Sequence, residues 1–263
     1  MLEISMFDLK ALENHEKFLK DKVFFANSKW PHFNILFKNI NVINSKLRKN
    51  SKVVIIERSN LYGQISLFKP FFYNHDVSSI DCTTKELKKR GSYNLGFVKN
   101  KNIIKLKTDM INVYSNIKIK NNTVNCVIIP NLLHHIPNPN LLFSEIDRIL
   151  KKNGMLFIFE PLLRELHQIP EDYYHFTPFS LKEILKKKFK NFKIDFDGGP
   201  FTAILYCWDQ ARQYLPINTR KKFDKDLKNL NINFKQFDKK YNKNLLRKNT
   251  KFPVSFTITG FKK

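Results

Sequence analysis

Residues 124–161 read VNCVIIPNLLHHIPNPNLLFSEIDRILKKNGMLFIFEP, and residues 162–177 continue LLRELHQIPEDYYHFT. Val127-Ile128-Ile129 is a β-branched run of the kind that suits a strand buried on both faces. From Pro139 to Leu150 the residues Leu142, Ile146, Ile149 and Leu150 recur at helical spacing. Asn153-Gly154 is expected to stop that helix, because glycine accepts the left-handed conformation of a C-terminal cap. Met155 to Phe159 is a second buried strand, closed by Pro161. Strand, helix and strand in this order make one right-handed βαβ unit. Both strands run into loops carrying His, Asn, Glu and Asp, at the carboxyl edge where open α/β sheets bind ligands.

Leu132-Leu133-His134-His135-Ile136-Pro137-Asn138-Pro139, the run Ser144 to Pro161, and His167-x-x-Pro170-x-Asp172-Tyr173-Tyr174-His175-Phe176-Thr177 resemble the corresponding segments of class I S-adenosylmethionine (SAM)-dependent methyltransferases, in the small-molecule and glycan-associated branch with type 11-like domains. Asn153 stands where that family usually has glycine, and His175 where it usually has Arg. The resemblance implies an α/β, Rossmann-like seven-stranded sheet of order 3-2-1-4-5-7-6 with helices on both faces. Strands are expected near 52–57, 77–81, 103–106, 124–129, 154–159, 192–196 and 253–261.

Working outward, Lys52 to Glu57 reads as the first strand, and Glu57-Arg58-Ser59-Asn60-Leu61-Tyr62-Gly63 follows it. In the family an acid and a Gly-rich turn occupy these positions. Here Ser59 and Leu61 replace two of the glycines, a degenerate motif that keeps a non-catalytic binding module in play. The resemblance assigns Glu57, Ser59 and Gly63 to the cofactor. Asp81 ends the next strand and takes the ribose, or else caps a helix begun by Thr83-Thr84. Asp109 and Met110 take the adenine, and Asn131 lies at the end of the fourth strand. The implied cofactor is S-adenosyl-L-methionine.

The resemblance places His135 at the mouth of the site as the base or acceptor-orienting group, with a hydrogen-bonded loop scaffold as the plainer role; His134 is expected to point away. His167, Asp172, Tyr173 and His175 face the same pocket as acceptor contacts, or else hold their own loop. No histidine has metal-ligand spacing with acids or cysteines, so no metal is expected.

The 263 residues divide into an N-terminal helical extension (1–50) and a methyltransferase-like domain (51–263) with a basic helical insertion at about 201–251, a candidate lid or partner surface. The net charge of +24 comes from 47 basic residues, only 8 of them Arg. A lysine-rich, Asn-rich and Ile-rich chain reflects base composition as readily as function, so the charge leaves nucleic acid or an anionic membrane surface open as partners without demanding either. Nucleic acid is the less favoured of these, because the acceptor motif of base methyltransferases and aromatic–basic RNA signatures are missing. Cys82, Cys126 and Cys207 are far apart and odd in number, as in reduced cytoplasmic proteins. No apolar run approaches the ~20 residues of a membrane span. The expected function is SAM-dependent methyl transfer to a small-molecule or glycan-type acceptor, in cell-surface polysaccharide or lipid metabolism. The alternatives are the catalytically degenerate binding module and a nucleic-acid methyltransferase.

Overall fold

The strand Lys52–Glu57 (β1) is apolar at four successive positions, and its side chains leave alternately to the two faces of a sheet. Val54 and Ile56 join one core with Val127, Ile129, Leu156 and Ile158; Val53 and Ile55 join another with Cys126, Ile128, Phe157 and Phe159. Such strands need cover on both faces, and helices supply it. The computed structural model describes residues 9–22, 32–59, 64–82, 101–111, 114–212, 214–229, 237–238 and 252–263.

The remaining elements follow in order. Two helices, α1 (Leu9–Lys22) and α2 (His32–Lys46), precede β1, and a short strand β2 (Ile65–Ser66) follows it. After a 3₁₀ turn at Lys69–Phe72 come β3 (Asp76–Asp81), β4 (Leu106–Lys107) and β5 (Met110–Ile111). Then come β6 (Val124–Pro130), a 3₁₀ turn at Leu133–His135, α3 (Pro139–Ile149) and β7 (Leu150–Pro161). The chain continues through α4 (Pro178–Leu185), β8 (Phe189–Asp197), α5 (Pro200–Arg212), α6 (Ile217–Asn229) and β9 (Ser255–Lys262). The main sheet has the order β5-β3-β1-β6-β7-β9-β8, and β2 and β4 form a separate two-stranded sheet. β9 is antiparallel to both β7 and β8, and the other pairings of the main sheet are parallel. Counting only main-sheet strands, this is the expected 3-2-1-4-5-7-6.

One face is covered by α3 through Leu142, Phe143, Ile146 and Ile149, and by α4 through Leu181 and Leu185. The other is covered by α2 through Leu36, Phe37, Ile40 and Ile43, with Phe71 and Phe72 beside them. Residues 32–46 thus share one hydrophobic core with the sheet. α2 is also pinned by a side-chain bond from Asn39 Nδ2 to Thr257 Oγ1 at 2.9 Å.

Two local expectations are corrected. The third sheet position is filled by Met110–Ile111 and not by 103–106: Ile103 packs into the α2-side core, and Leu106–Lys107 pairs with β2 instead. α3 ends at Ile149, where Leu150 turns to extended backbone. Asn153-Gly154 therefore lies within β7, at an irregularity opposite Val124–Cys126, and the left-handed residue is Asn153 at φ +59°. Gly154 is needed for space, since a Cβ there would stand 2.8 Å from the Lys151 carbonyl oxygen. Thr177, the end of the 162–177 motif, caps α4: its hydroxyl accepts from Ser180 N at 3.1 Å, and Ser180 Oγ accepts from Thr177 N at 3.2 Å. Among the described residues no helix is long and apolar enough to cross a membrane.

Candidate functional site

β3, β1 and β6 are neighbours, so Asp81, Glu57 and Asn131 stand side by side at or just beyond their carboxyl ends, with Glu57 in register with Asp81. Glu57 is closed in by its own chain: Ser66 Oγ donates to one carboxyl oxygen, and Leu67 N to the other at 3.3 Å. Burial pushes its carboxyl up to about 8, against which these two hydrogen bonds act. Ser59 accepts the Thr108 hydroxyl, and Gln64 N donates to the Ser59 carbonyl at 2.9 Å. Asp109, half-exposed, accepts from Ser79 N at 2.7 Å and pairs with Lys69 at 2.8 Å. Met110 sits in β5, partly buried against the α3-side core. Asp81 is wholly buried. Asn131, held in the left-handed region at φ +62°, has an Oδ1 that is buried and makes no hydrogen bond among the described residues. Leu61 and Gly63 lie outside the described residues.

On the other side of this edge the 3₁₀ turn after β6 meets the loop after β7. Glu160, at the buried end of β7, accepts from Leu132 N at 3.0 Å and Leu133 N at 2.6 Å through Oε1. Its Oε2 accepts from His134 Nδ1 at 2.6 Å. His135 Nδ1 donates to the Glu171 carbonyl at 2.5 Å. His167 Nδ1 lies 3.2 Å from the Glu165 carbonyl and 3.0 Å from Asp172 Oδ2. Carbonyl and carboxylate oxygens only accept here, so each ring carries a proton on Nδ1, and Nε2 is the nitrogen that holds the lone pair in the neutral tautomer. The ring centroids stand 4.0 Å apart for His134 and His135, 4.7 Å for His135 and His167, and 5.2 Å for His134 and His167. Burial, reinforced by His134, Arg58 and His167, holds His135 well below the usual imidazole range. Burial, then Arg164, does the same to His167.

Of the expected acceptor-side residues, the structure brings His135, His167 and Asp172 together. His175 Nε2 lies 3.8 Å from Asp172 Oδ2. Tyr173 contributes its backbone N–H to the His134 carbonyl at 2.8 Å, while its side chain is exposed. His134 does not point away: it is buried within the cluster. Histidines without metal-type spacing in the sequence therefore converge in space, one nitrogen of each of His134, His135 and His167 lying within 4.8 Å of the others.

Sequence reasoning passed over three residues. Arg58, directly after Glu57, is buried and donates to Glu171 Oε2 at 2.7 Å, Gln168 Oε1 at 2.5 Å and the His135 carbonyl at 3.4 Å. It ties the β1 loop to the β7 loop, with Glu171 as its counter-ion. Glu160 organises the 3₁₀ turn. An acid closing an otherwise apolar strand was its one visible signal. From the insertion, Tyr206 of α5 donates its hydroxyl to Glu165 in the same loop.

Residues 72–158 match the family described as "Methyltransferase domain". No curated protein matches the chain in sequence. Similar solved structures include phosphoethanolamine N-methyltransferase 2 of Haemonchus contortus in complex with S-adenosyl-L-methionine, at 14% identity and TM-score 0.46, covering 94% of this chain and 60% of that one. The YcgJ protein of Bacillus subtilis is similar at 14% identity and TM-score 0.46, covering 86% and 99%. A SAM-dependent methyltransferase from Methanosarcina mazei is similar at 14% identity and TM-score 0.43, covering 84% and 96%. Residues 72–158 match a methyltransferase-domain family, and the main sheet has the strand order that the sequence resemblance implied.

Proposed function

We infer that the protein is a SAM-dependent methyltransferase acting on a small-molecule or glycan-type acceptor. The observation that carries the reading is the single carboxyl edge on which Asp81, Glu57 and Asn131 lie beside a buried, convergent histidine cluster. The unbonded, buried Asn131 Oδ1 fits a ligand rich in donors, such as one bearing ribose hydroxyls and an ammonium group. Asp81 would hold the ribose, Asp109 and Met110 the adenine, and Glu57, Ser59, Gly63 and Asn131 the remainder. When bound, S-adenosyl-L-methionine supplies an electrophilic methyl group. The chain's own part is to hold the acceptor atom in line, ~3 Å from that carbon, and to receive its proton. His135 carries a lone pair on Nε2 for that task, with its ring fixed by the Glu171 carbonyl. His167, Asp172, Tyr173 and His175 shape the acceptor side.

A second reading, a binding module without turnover, is favoured by the internal bonding of Glu57 and Asp109, whose carboxyl oxygens are engaged by the chain itself. Calorimetric titration with SAM decides between them, followed by turnover of a panel of amine and hydroxyl acceptors. His135→Gln should retain SAM affinity and lose ~10²–10⁴-fold in turnover. Wild-type protein that takes up no SAM would leave only the binding module.

A further inference from the structure

We propose that His134, His135 and His167 form a site for one divalent metal ion of the zinc type, bound through their Nε2 atoms. The inference goes beyond methyl transfer and does not depend on it.

Three features carry it. One nitrogen from each ring already lies within 4.8 Å of the others. Nitrogens around a tetrahedral zinc stand roughly 3.3 Å apart, given Zn–N bonds of about 2.0 Å, so the three rings would draw together around the ion. Next, each Nδ1 is directed at an oxygen acceptor: Glu160 for His134, the Glu171 carbonyl for His135, and Asp172 with the Glu165 carbonyl for His167. Carboxylates and carbonyls in these positions fix the Nδ1–H tautomer and aim Nε2 at an ion, as in the carboxylate–histidine–zinc arrangement. Finally, Nε2 of His134, in a residue only 3% exposed, and Nε2 of His167 are buried and have no hydrogen-bond partner among the described residues. Leaving buried lone pairs unused is costly, whereas a metal ion satisfies them together.

The surrounding charge permits a cation. The guanidinium of Arg58 is paired with Glu171 at 2.7 Å and that of Arg164 stands 4.0 Å from Glu165, while Glu160 and Asp172 bring two carboxylates to the histidines. Three neutral imidazoles favour zinc-like borderline ions over magnesium or calcium, and they leave a fourth position for water or an acceptor heteroatom. With an ion seated, the His135 lone pair is committed to it, so base and ligand are exclusive roles for that residue.

The test uses the full chain stripped with a chelator and titrated with zinc by calorimetry and with cobalt by visible absorption. Expected are one ion per chain, tetrahedral cobalt bands of nitrogen-ligand type, and a melting temperature raised by zinc. His134→Gln and His167→Gln should each weaken binding by more than ~100-fold, and Glu160→Gln by ~10–100-fold. Cys207→Ser, at the exposed thiol, should leave it unchanged. Wild type that takes up neither ion, binding that survives both His variants, or cobalt bands of thiolate character would each overturn the site. Should a His variant fail to fold, the wild-type cobalt spectrum still decides. The methyl-transfer reading survives a negative result here, because SAM binding is measured separately.

Discussion

On the β1–β3 side of the carboxyl edge, Glu57 is closed in by Ser66 and Leu67, Ser59 by Thr108, and Asp109 by Ser79 and Lys69. On the β6–β7 side, Glu160 and Glu171 gather donors just as thoroughly, yet two histidine nitrogens and Asp172 Oδ1 are left without a bond among the described residues. The two sides are made of similar residues, and they differ in what remains after local bonding. The first side spends the carboxyl groups of Glu57 and Asp109 bracing loops. The second uses them to orient imidazoles whose outer nitrogens stay available. Reactivity is therefore expected on the β6–β7 side, with ligand positioning on the β1–β3 side.

The strongest test of this contrast is Glu160→Ala. It strands two backbone N–H groups and the His134 Nδ1–H in a buried site. The expected loss is on the order of 5 kcal/mol in urea unfolding, from several unsatisfied donors at ~1–3 kcal/mol each. A loss below about 1 kcal/mol would show that Glu160 does not organise the turn. Next is the link between the sides. Arg58→Met leaves Glu171 buried and uncompensated, for about 3–4 kcal/mol. The double variant with Glu171→Leu should recover most of that, and a double variant no better than the single one would deny the coupling. On the ligand side, Asp81→Ala should weaken SAM binding by roughly 1–3 kcal/mol without altering the fold, and equal affinity by calorimetry would remove Asp81 from the site.

A separate effect, spread over several pH units, concerns Glu57. Its carboxyl is raised by burial from 4.5 to about 8. Between those values the unfolded chain has released the proton and the folded chain has kept it. Stability is then fully present below about pH 4.5 and declines towards pH 8, by at most ~1.4 kcal/mol per pH unit. Urea midpoints of wild type and Glu57→Gln should diverge across this window, the variant showing the flatter profile. Parallel profiles would mean that Glu57 titrates normally.

How far these features could be read in the sequence depended on their length and locality. Lys52–Glu57, Val124–Pro130 and the apolar half of β7 are runs long enough to declare buried strands, and the βαβ order followed from them. β5 has two residues, too few to show any period, while Ile103-Ile104 nearby offered a more apolar run that packs elsewhere. His134 was misjudged for a geometric reason. Successive side chains on a strand oppose one another, but a 3₁₀ turn of three residues separates them by about 120°, so adjacent rings can share one cavity. Arg58 and Glu171 lie 113 positions apart, and nothing local to either announces the other. Glu57, Asp81 and His135 are legible in the sequence as residues at strand ends, whereas their bonding partners are set by tertiary structure.

β9 is made last among the strands yet lies between two made earlier, and β8 reaches the sheet only through it. During synthesis β7 therefore waits with one edge unpaired, and β8 without any partner, until residues 255–262 clear the ribosome. Until then Phe157, Phe159, Phe189 and Phe256 have no finished interior to enter. Exposed edges beside aromatic side chains are what chaperones and aggregation both recognise. A nascent chain halted before residue 255 should remain protease-sensitive through β7 and β8, and release of the last strand should protect both at once.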